Sequence, residues 1–361
     1  MTRKPPVRLW NALDEIPEAT TDRREWRLAL QDEWPAAAPY LTPTGRLAKE
    51  IACHSPGGDG CPRKVVKLAD SRVRAVCGNR PAECDAIDLK REDVACLALD
   101  RKALAKLVCA VLSANADYHE NGAVAHLGSH AVAAGIGIPI LLLVPGPRAD
   151  VPPNIMAAPD EDSGPRAIVV PTRRSLPDAV KGALQARGDM ILALSDITVL
   201  DENSRLVGTQ PAVSILAPLR DKLLAKEQAA PTGRVWLLPP EARWEDLTFD
   251  FIAEEVVNVR YRDRTRRFEP EEFGMKNRKN GRPTVLWVLF QAIAQRGGSL
   301  TWVEQKAATR IKKQKQLLSD ALRHLFGIQD DPIPWRRAQA AYVARFVVRD
   351  SIPITAQRRP G

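Results

Sequence analysis

At 361 residues, 45% of them hydrophobic, the chain is long enough for two or three domains with cores of their own and too apolar for a disordered polypeptide. Its longest apolar run, Ile136 to Val144, contains a proline and falls well short of a membrane span, so no membrane partner is expected. The net charge of +9 is uneven: residues 256–361 hold 22 Lys and Arg against 9 Asp and Glu, a net of +13, so residues 1–255 carry −4, and the basic part calls for a polyanion.

The first residues, "MTRKPPVRLW", have no apolar segment behind their basic side chains. No secretory signal is read there, and the expected compartment is the cytoplasm. Thiols stay reduced in that compartment, so clustered cysteines read as metal ligands rather than disulfides. Residues 1–48 form a lead-in to such a cluster.

Four of the six cysteines follow, as Cys53-x7-Cys61, then x15, then Cys77-x6-Cys84. The intervening segment predicts a hairpin, with strands at Lys64 to Leu68 and Val73 to Val76 around a tight "ADS". A hairpin brings both cysteine pairs to one end, where four thiolates can surround one tetrahedral ion. Gly57, Gly58, Gly60 and Gly78 allow the loops to turn tightly. In layout, though with wider pairs, this resembles a zinc ribbon over residues 49–115, with a structural Zn2+ on Cys53, Cys61, Cys77 and Cys84. His54 is a competing ligand. Cys96 and Cys109 fall in an apolar stretch, "REDVACLALDRKALAKLVCAVL", read as helical, and there serve as buried small hydrophobes.

Residues 116–235 predict a small α/β domain. "IPILLLVP" and "AIVVP" are continuous apolar runs of strand type, and "SLPDAVKGALQARG" carries the start and stop signals of a helix. "MILALSDITVLDENSRLV" predicts a strand or a helix followed by a turn at "DEN". No dinucleotide-binding, phosphate-loop, zinc-protease or nucleophile-elbow motif occurs here. His126 and His130 are four apart, but the glycines around them argue against the helix on which they could share a metal. Asp196, Asp201 and Glu202 are acids a nuclease could use, yet no lysine stands in the spacing such a site needs.

Residues 246–355 predict a second α+β module. "VNVRYRDRTRRFEPEEFGM" reads as a hairpin and "RPTVLWVLFQAIAQRGG" as a helix closed by glycines. "SLTW" is a short strand. "ATRIKKQKQLLSDALRHLFG" is a helix with a stripe of Leu317, Leu318, Ala321, Leu322 and Leu325. "DDPIPWRRAQAAYVARFVVRD" predicts strand, basic loop and strand. In this order of elements, and at Gly297, Leu300, Leu325, Gly327 and Tyr342, the last hundred or so residues resemble the winged helix of OmpR-type response-regulator effector domains. The resemblance implies that Lys313, Lys315, Gln316, Ser319 and Arg323 face a major groove, with Lys312 beside them. It implies that Arg336, Arg337 and Arg345 reach phosphate or the minor groove from the wing. Nothing upstream looks like a phospho-acceptor receiver, so a phosphorelay role is not implied.

The expected fold class is therefore α+β and multidomain: zinc ribbon, small α/β domain, winged helix-turn-helix. The expected function is binding of double-stranded DNA, as a transcriptional regulator or the DNA-engaging subunit of a larger bacterial or phage system with other protein subunits, rather than catalysis. The alternatives are a nucleic-acid-processing enzyme with its site in the middle domain, and a protein–protein adaptor.

Overall fold

A computed structural model describes residues 6–53, 61–68, 72–122, 124–148, 151–152, 155, 164–229, 236–277, 280–301 and 305–352, the side chains of 228–229 and 305–309 excepted. The chain mixes α-helices with several sheets and is built as two compact units. One comprises Met1–His130 with Ile138–Leu223, the other Ala131–Gly137 with Leu224–Gly361. Residues 1–48 and 49–115 both fall in the first unit, with most of 116–235.

In the first unit, helix α1 (Val7–Glu15) buries Leu9, Trp10 and Leu13. Helix α2 (Arg23–Leu30) starts at Asp22, whose carboxylate accepts from the Glu25 N–H at 3.1 Å as an N-cap. The buried indoles find partners: Trp10 Nε1 donates to Thr198 Oγ1 at 3.0 Å, and Trp26 Nε1 to the Leu97 carbonyl at 3.0 Å. Strands β1 (Thr20–Asp22), β2 (Leu41–Leu47), β3 (Glu50–Ala52), β4 (Pro62–Lys67), β5 (Val73–Cys77), β6 (Ile87–Leu89) and β7 (Ala95–Leu99) form two antiparallel sheets, in the orders β1-β7-β2 and β3-β4-β5-β6. The expected hairpin at the cysteines is thus the centre of a four-stranded sheet.

The stretch read as helical from Arg91 to Leu112 divides. Ala95–Leu99 is β7, and helix α3 (Arg101–Val111) begins only after Asp100, whose carboxylate accepts from the Ala103 N–H at 2.9 Å. An aspartate cap in the middle of an apolar run stops one element and starts the next. Cys96 therefore sits half-buried on a strand, and Cys109 is buried on the helix with its thiol donating to the Leu127 carbonyl at 3.4 Å.

The five-stranded sheet has the order β12-β11-β10-β9-β8, from β8 (Asn115–Asn121), β9 (Val124–Ala133), β10 (Ile136–Leu143), β11 (Ala167–Val170) and β12 (Met190–Ala193). Strands β10, β11 and β12 are parallel, and every residue of β11 is buried. Continuous apolar runs follow from burial on both faces. Helix α4 (Asp178–Ala186) lies where the start and stop signals put it. "MILALSDITVL" holds both elements offered for it, β12 and then the one-turn helix Leu194–Ile197, before the hairpin of β13 (Thr198–Leu200) and β14 (Leu206–Gly208).

Gly128 lies at φ +123° where β9 passes an irregularity of β8. A Cβ there would stand 1.9 Å from the Asn115 carbonyl oxygen, so only glycine fits.

The second unit has an aromatic core. Strands β15 (Leu247–Ala253), β16 (Val256–Tyr261) and β17 (Arg264–Phe268) form an antiparallel meander. Helix α5 (Val285–Gln295), the two-residue strand β18 (Ser299–Leu300) and helix α6 (Gln305–Phe326) follow. Then come β19 (Trp335–Arg336), β20 (Ala341–Val343) and β21 (Val347–Asp350). β21 joins the meander parallel to β15, in the order β17-β16-β15-β21, while β18, β20 and β19 make a small separate sheet. Phe249 meets Phe326 edge to face at 5.5 Å, and Phe251 meets Phe290 at 5.1 Å. The rings thus lock both helices to one face of the sheet.

Candidate functional site

Backbone pairing at one end of the β3-β4-β5-β6 sheet gathers the cysteines. The Cys53 N–H donates to the Cys61 carbonyl at 3.0 Å, the Gly78 N–H to the Pro62 carbonyl at 3.1 Å, and Arg63 faces Cys77 across the β4–β5 ladder. A Cβ on residue 78 would stand 2.4 Å from that Pro62 carbonyl, so Gly78 permits the closure. The sulfurs of Cys53, Cys61 and Cys84 lie within 4.8 Å of one another and could hold a metal ion. All the cysteines are free thiols, and Cys53 Sγ is 3.7 Å from Cys84 Sγ. A disulfide requires about 2.05 Å. Ligands about 2.3 Å from a tetrahedral ion stand about 3.8 Å apart, so the observed spacing is that of a coordination edge.

Cys77, expected as the fourth ligand, stands at the end of β5 and is not one of the three sulfurs gathered within 4.8 Å. Backbone N–H groups of Glu83, at 3.4 Å, and of Asn79 point at its sulfur and pull its pKa down, which favours the thiolate a metal needs. Cys61 and Cys84 go the opposite way. Loss of water and the neighbouring thiols push Cys61 up, and the same causes push Cys84 up to about 12. Thiols packed this closely cannot all ionise unless a cation compensates them.

Arg63 is a member of this site that the sequence did not flag. It is buried on β4, where its Nε donates to Cys53 Sγ at 3.2 Å and a terminal N–H donates to the Asp85 carbonyl. It holds a positive charge against the sulfurs and fixes the position of Cys53. The signal was a charged residue on the inward face of a strand, which composition reads as a solvent-facing one. His54, Gly57, Gly58 and Gly60 lie outside the described residues.

Elsewhere in the first unit His126, His130, Asp196 and Asp201 have structural partners, while Glu202 is exposed. His126 stacks on His119 across β8 and β9, with centroids 4.6 Å apart and planes at 6°, and burial pushes its pKa down. His130 Nδ1 lies 2.8 Å from the Leu112 carbonyl oxygen, which can only accept, so this nitrogen carries the proton. The two residues are on a strand and not on a helix face. Asp196 pairs with Arg173 at 2.6 Å, and Asp201 caps a turn by accepting from the N–H groups of Asn203 and Arg205.

In the second unit, helix α6 divides the predicted groove residues. Lys312, Lys313 and Gln316 are exposed, as is Arg310 before them. Lys312 and Lys313 have no ion pair among the described residues. Gln316 and Arg323 both donate to the Asp320 carboxylate, Gln316 at 3.1 Å. Lys315 and Ser319 are the exceptions. Both are buried, and both bond to Asp331: Lys315 Nζ at 2.5 Å, Ser319 Oγ at 3.2 Å. The ammonium also lies over the Tyr342 ring, 5.1 Å from its centroid. The buried stripe is accordingly Lys315, Leu318, Ser319, Leu322, Leu325 and Phe326, and Leu317, expected inside, is 47% exposed.

Beyond the helix, Arg336 and Arg337 are exposed beside β19, with Trp335 exposed next to them and edge-on to Tyr342 at 5.1 Å. Arg345, expected among the wing contacts, is held instead by two carboxylates, Glu245 at 2.7 Å and Asp330 at 3.2 Å. No helix among the described residues is long and apolar enough to cross a membrane. No protein-family model, no curated protein and no solved structure matches the chain.

Proposed function

We propose that this chain is a double-stranded-DNA-binding protein, a transcriptional regulator or the DNA-engaging subunit of a larger assembly. In this reading its second unit acts as a winged helix and its cysteine sheet as a zinc ribbon. The observation that carries the reading is the exposed basic surface of α6 and the neighbouring small sheet, without ion pairs among the described residues: Arg310, Lys312 and Lys313 on the helix, Arg336 and Arg337 after it. Charges left without internal partners cost nothing to offer to phosphates, and each phosphate neutralised releases a counterion.

In this mechanism α6 enters the major groove with Gln316 and Arg323 at base edges, once Asp320 releases them, and Arg336 and Arg337 clamp the backbone. The thiolates of Cys53, Cys61, Cys77 and Cys84 would close the coordination of a zinc ion, leaving no position for a reacting water. That assigns the metal to structure.

The test is duplex binding by the full chain as a function of salt. Arg337→Ala should weaken all sequences about equally and lower the slope of log affinity against log salt by about one. Gln316→Ala or Arg323→Ala should cost roughly 1–3 kcal/mol on a preferred site and little on random DNA. If all three variants bind like the parent, the reading fails. The second reading, a protein adaptor, is favoured by two exposed apolar side chains on the same surface, Leu317 at 47% and Trp335 at 43%. It predicts loss of partner capture in Leu317→Ser without change in DNA binding.

A further inference from the structure

The meander of the second unit has two faces. The inner one, with Phe249, Phe251, Val257 and Val259, packs on α5 and α6. The outer one is polar, and register lays it out in two rows. Thr248 stands beside Arg260, and Arg260 beside Thr265. In the next row Arg349 stands beside Asp250, Asp250 beside Asn258, and Asn258 beside Arg267. Arg260, Arg267 and Arg349 are exposed, and most of these side chains line a single shallow concavity.

Several arginines of this unit are neutralised: Arg345 by Glu245 and Asp330, Arg266 by Glu272 at 3.4 Å, Arg323 by Asp320. The three on the sheet face have no ion pair among the described residues. The one acid in their midst, Asp250, accepts instead from Ser351 Oγ at 2.6 Å.

With neighbouring strands about 4.8 Å apart, Arg349 and Arg267 stand about 14 Å from each other, with Arg260 between them in the adjoining row. Three uncompensated guanidinium groups interleaved with threonine and asparagine are the donor set that phosphate oxygens take. A protein partner would need an apolar or aromatic anchor to bury. Among the described residues this face carries no exposed large apolar side chain at its centre, and the exposed Val347 stands on the edge strand.

We infer that the outer face of this sheet is a second binding surface for the phosphate backbone of a nucleic-acid duplex. It rests on the DNA-binding reading only for the choice of polyanion. The exposed side of α6 and the outer sheet face lie on opposite sides of one core, so a single unit can hold two duplex segments and bridge them.

The experiment uses the full chain and two 30-base-pair duplexes, one with a donor dye and one with an acceptor. The parent brings the dyes together in a salt-sensitive way. The triple variant Arg260→Ala, Arg267→Ala, Arg349→Ala keeps the binding of one duplex, loses the energy transfer, and lowers the salt slope by about three. A variant at Lys312, Lys313, Arg336 and Arg337 keeps weak duplex binding through the sheet. Asp250→Asn raises affinity by removing the one repelling charge. The conservative triple of Arg→Lys, which keeps the charge, restores the slope and guards against a folding defect. Energy transfer and salt slope unchanged in the triple Ala variant would overturn the inference while leaving the helix reading in place. Loss of all binding in the helix variant alone would do the same. Binding of polyglutamate as tight as binding of duplex at equal charge would reassign the face to an acidic protein and overturn it as well.

Discussion

Lys315 Nζ donates to the Asp331 carboxylate across 2.5 Å, and the same carboxylate accepts from Ser319. One acid from the segment after α6 thus turns two polar side chains of that helix inward. Burial pushes the Asp331 pKa up, but the hydrogen bonds from Lys315 and the Ile333 N–H outweigh it and hold the carboxyl below its usual range. A folded-state value below the unfolded one stabilises above the unfolded value, about 3.9, and the gain is lost as pH falls through the folded value. Asp331→Asn should cost about 1–3 kcal/mol near neutral pH, because Lys315 keeps its burial and loses its anion. Chemical denaturation across pH 2–7 measures this: the gap between parent and variant should close as the solution becomes more acidic than about pH 4.

The cysteine centre predicts one tightly held metal ion per chain, with zinc expected on elemental analysis. Structural zinc in small modules is worth about 10–16 kcal/mol near neutral pH. Cys77→Ser, or strong chelation, should therefore unfold the β3-β4-β5-β6 sheet while the second unit keeps its cooperative transition. Hydrogen exchange resolved by segment separates the two. Protection of residues 62–77 that survives metal removal would count against a structural ion.

Arg166 and Arg187 both donate to the Asp189 carboxylate, at 2.7 and 2.8 Å, and Asp189 is almost completely buried. Burial raises its pKa, but the two guanidinium groups bring it below the usual range. Asp189→Asn leaves two partly buried cations without their anion and should cost about 3–5 kcal/mol in thermal or chemical denaturation. A loss under 1 kcal/mol would mean that water already screens the pair.

Two glycines of the β8–β9 region give an internal control on strain. Gly122→Ala meets no atom within 4 Å and should cost only the left-handed backbone, about 1 kcal/mol. Gly128→Ala also drives a Cβ into the Asn115 carbonyl and should cost about 3 kcal/mol or more. Equal effects of the two substitutions would refute the close-packing account.

The cysteine gathering was legible because ligand chemistry and hairpin signals are local: Cys61 and Cys77 flank the very turn that pairs them. Arg63 was not, since nothing adjacent in sequence says that a strand arginine faces sulfur. The helix of residues 305–326 was legible as an element, but its orientation was misjudged. Charge placed Lys315 and Ser319 outside, and only the return of Asp331 through the following segment rotates the buried stripe toward them. The sheet β1-β7-β2 escaped for a similar reason, because its strands are short and lie far apart along the chain.

The parallel pairing of β21 with β15 joins Thr248 to Val347 and Asp250 to Arg349. Phe346 and Val348 complete the aromatic core from that late segment. A ribosome making this chain would have finished β15, β16, α5 and α6 before the strand that closes their sheet emerged. Until then the β15 edge and the rings of Phe249 and Phe290 would be open to other chains. Closing so long a loop also slows folding once synthesis is done. The unit is therefore one that gains from a chaperone or from slow synthesis over its last strands, and its yield should depend on both.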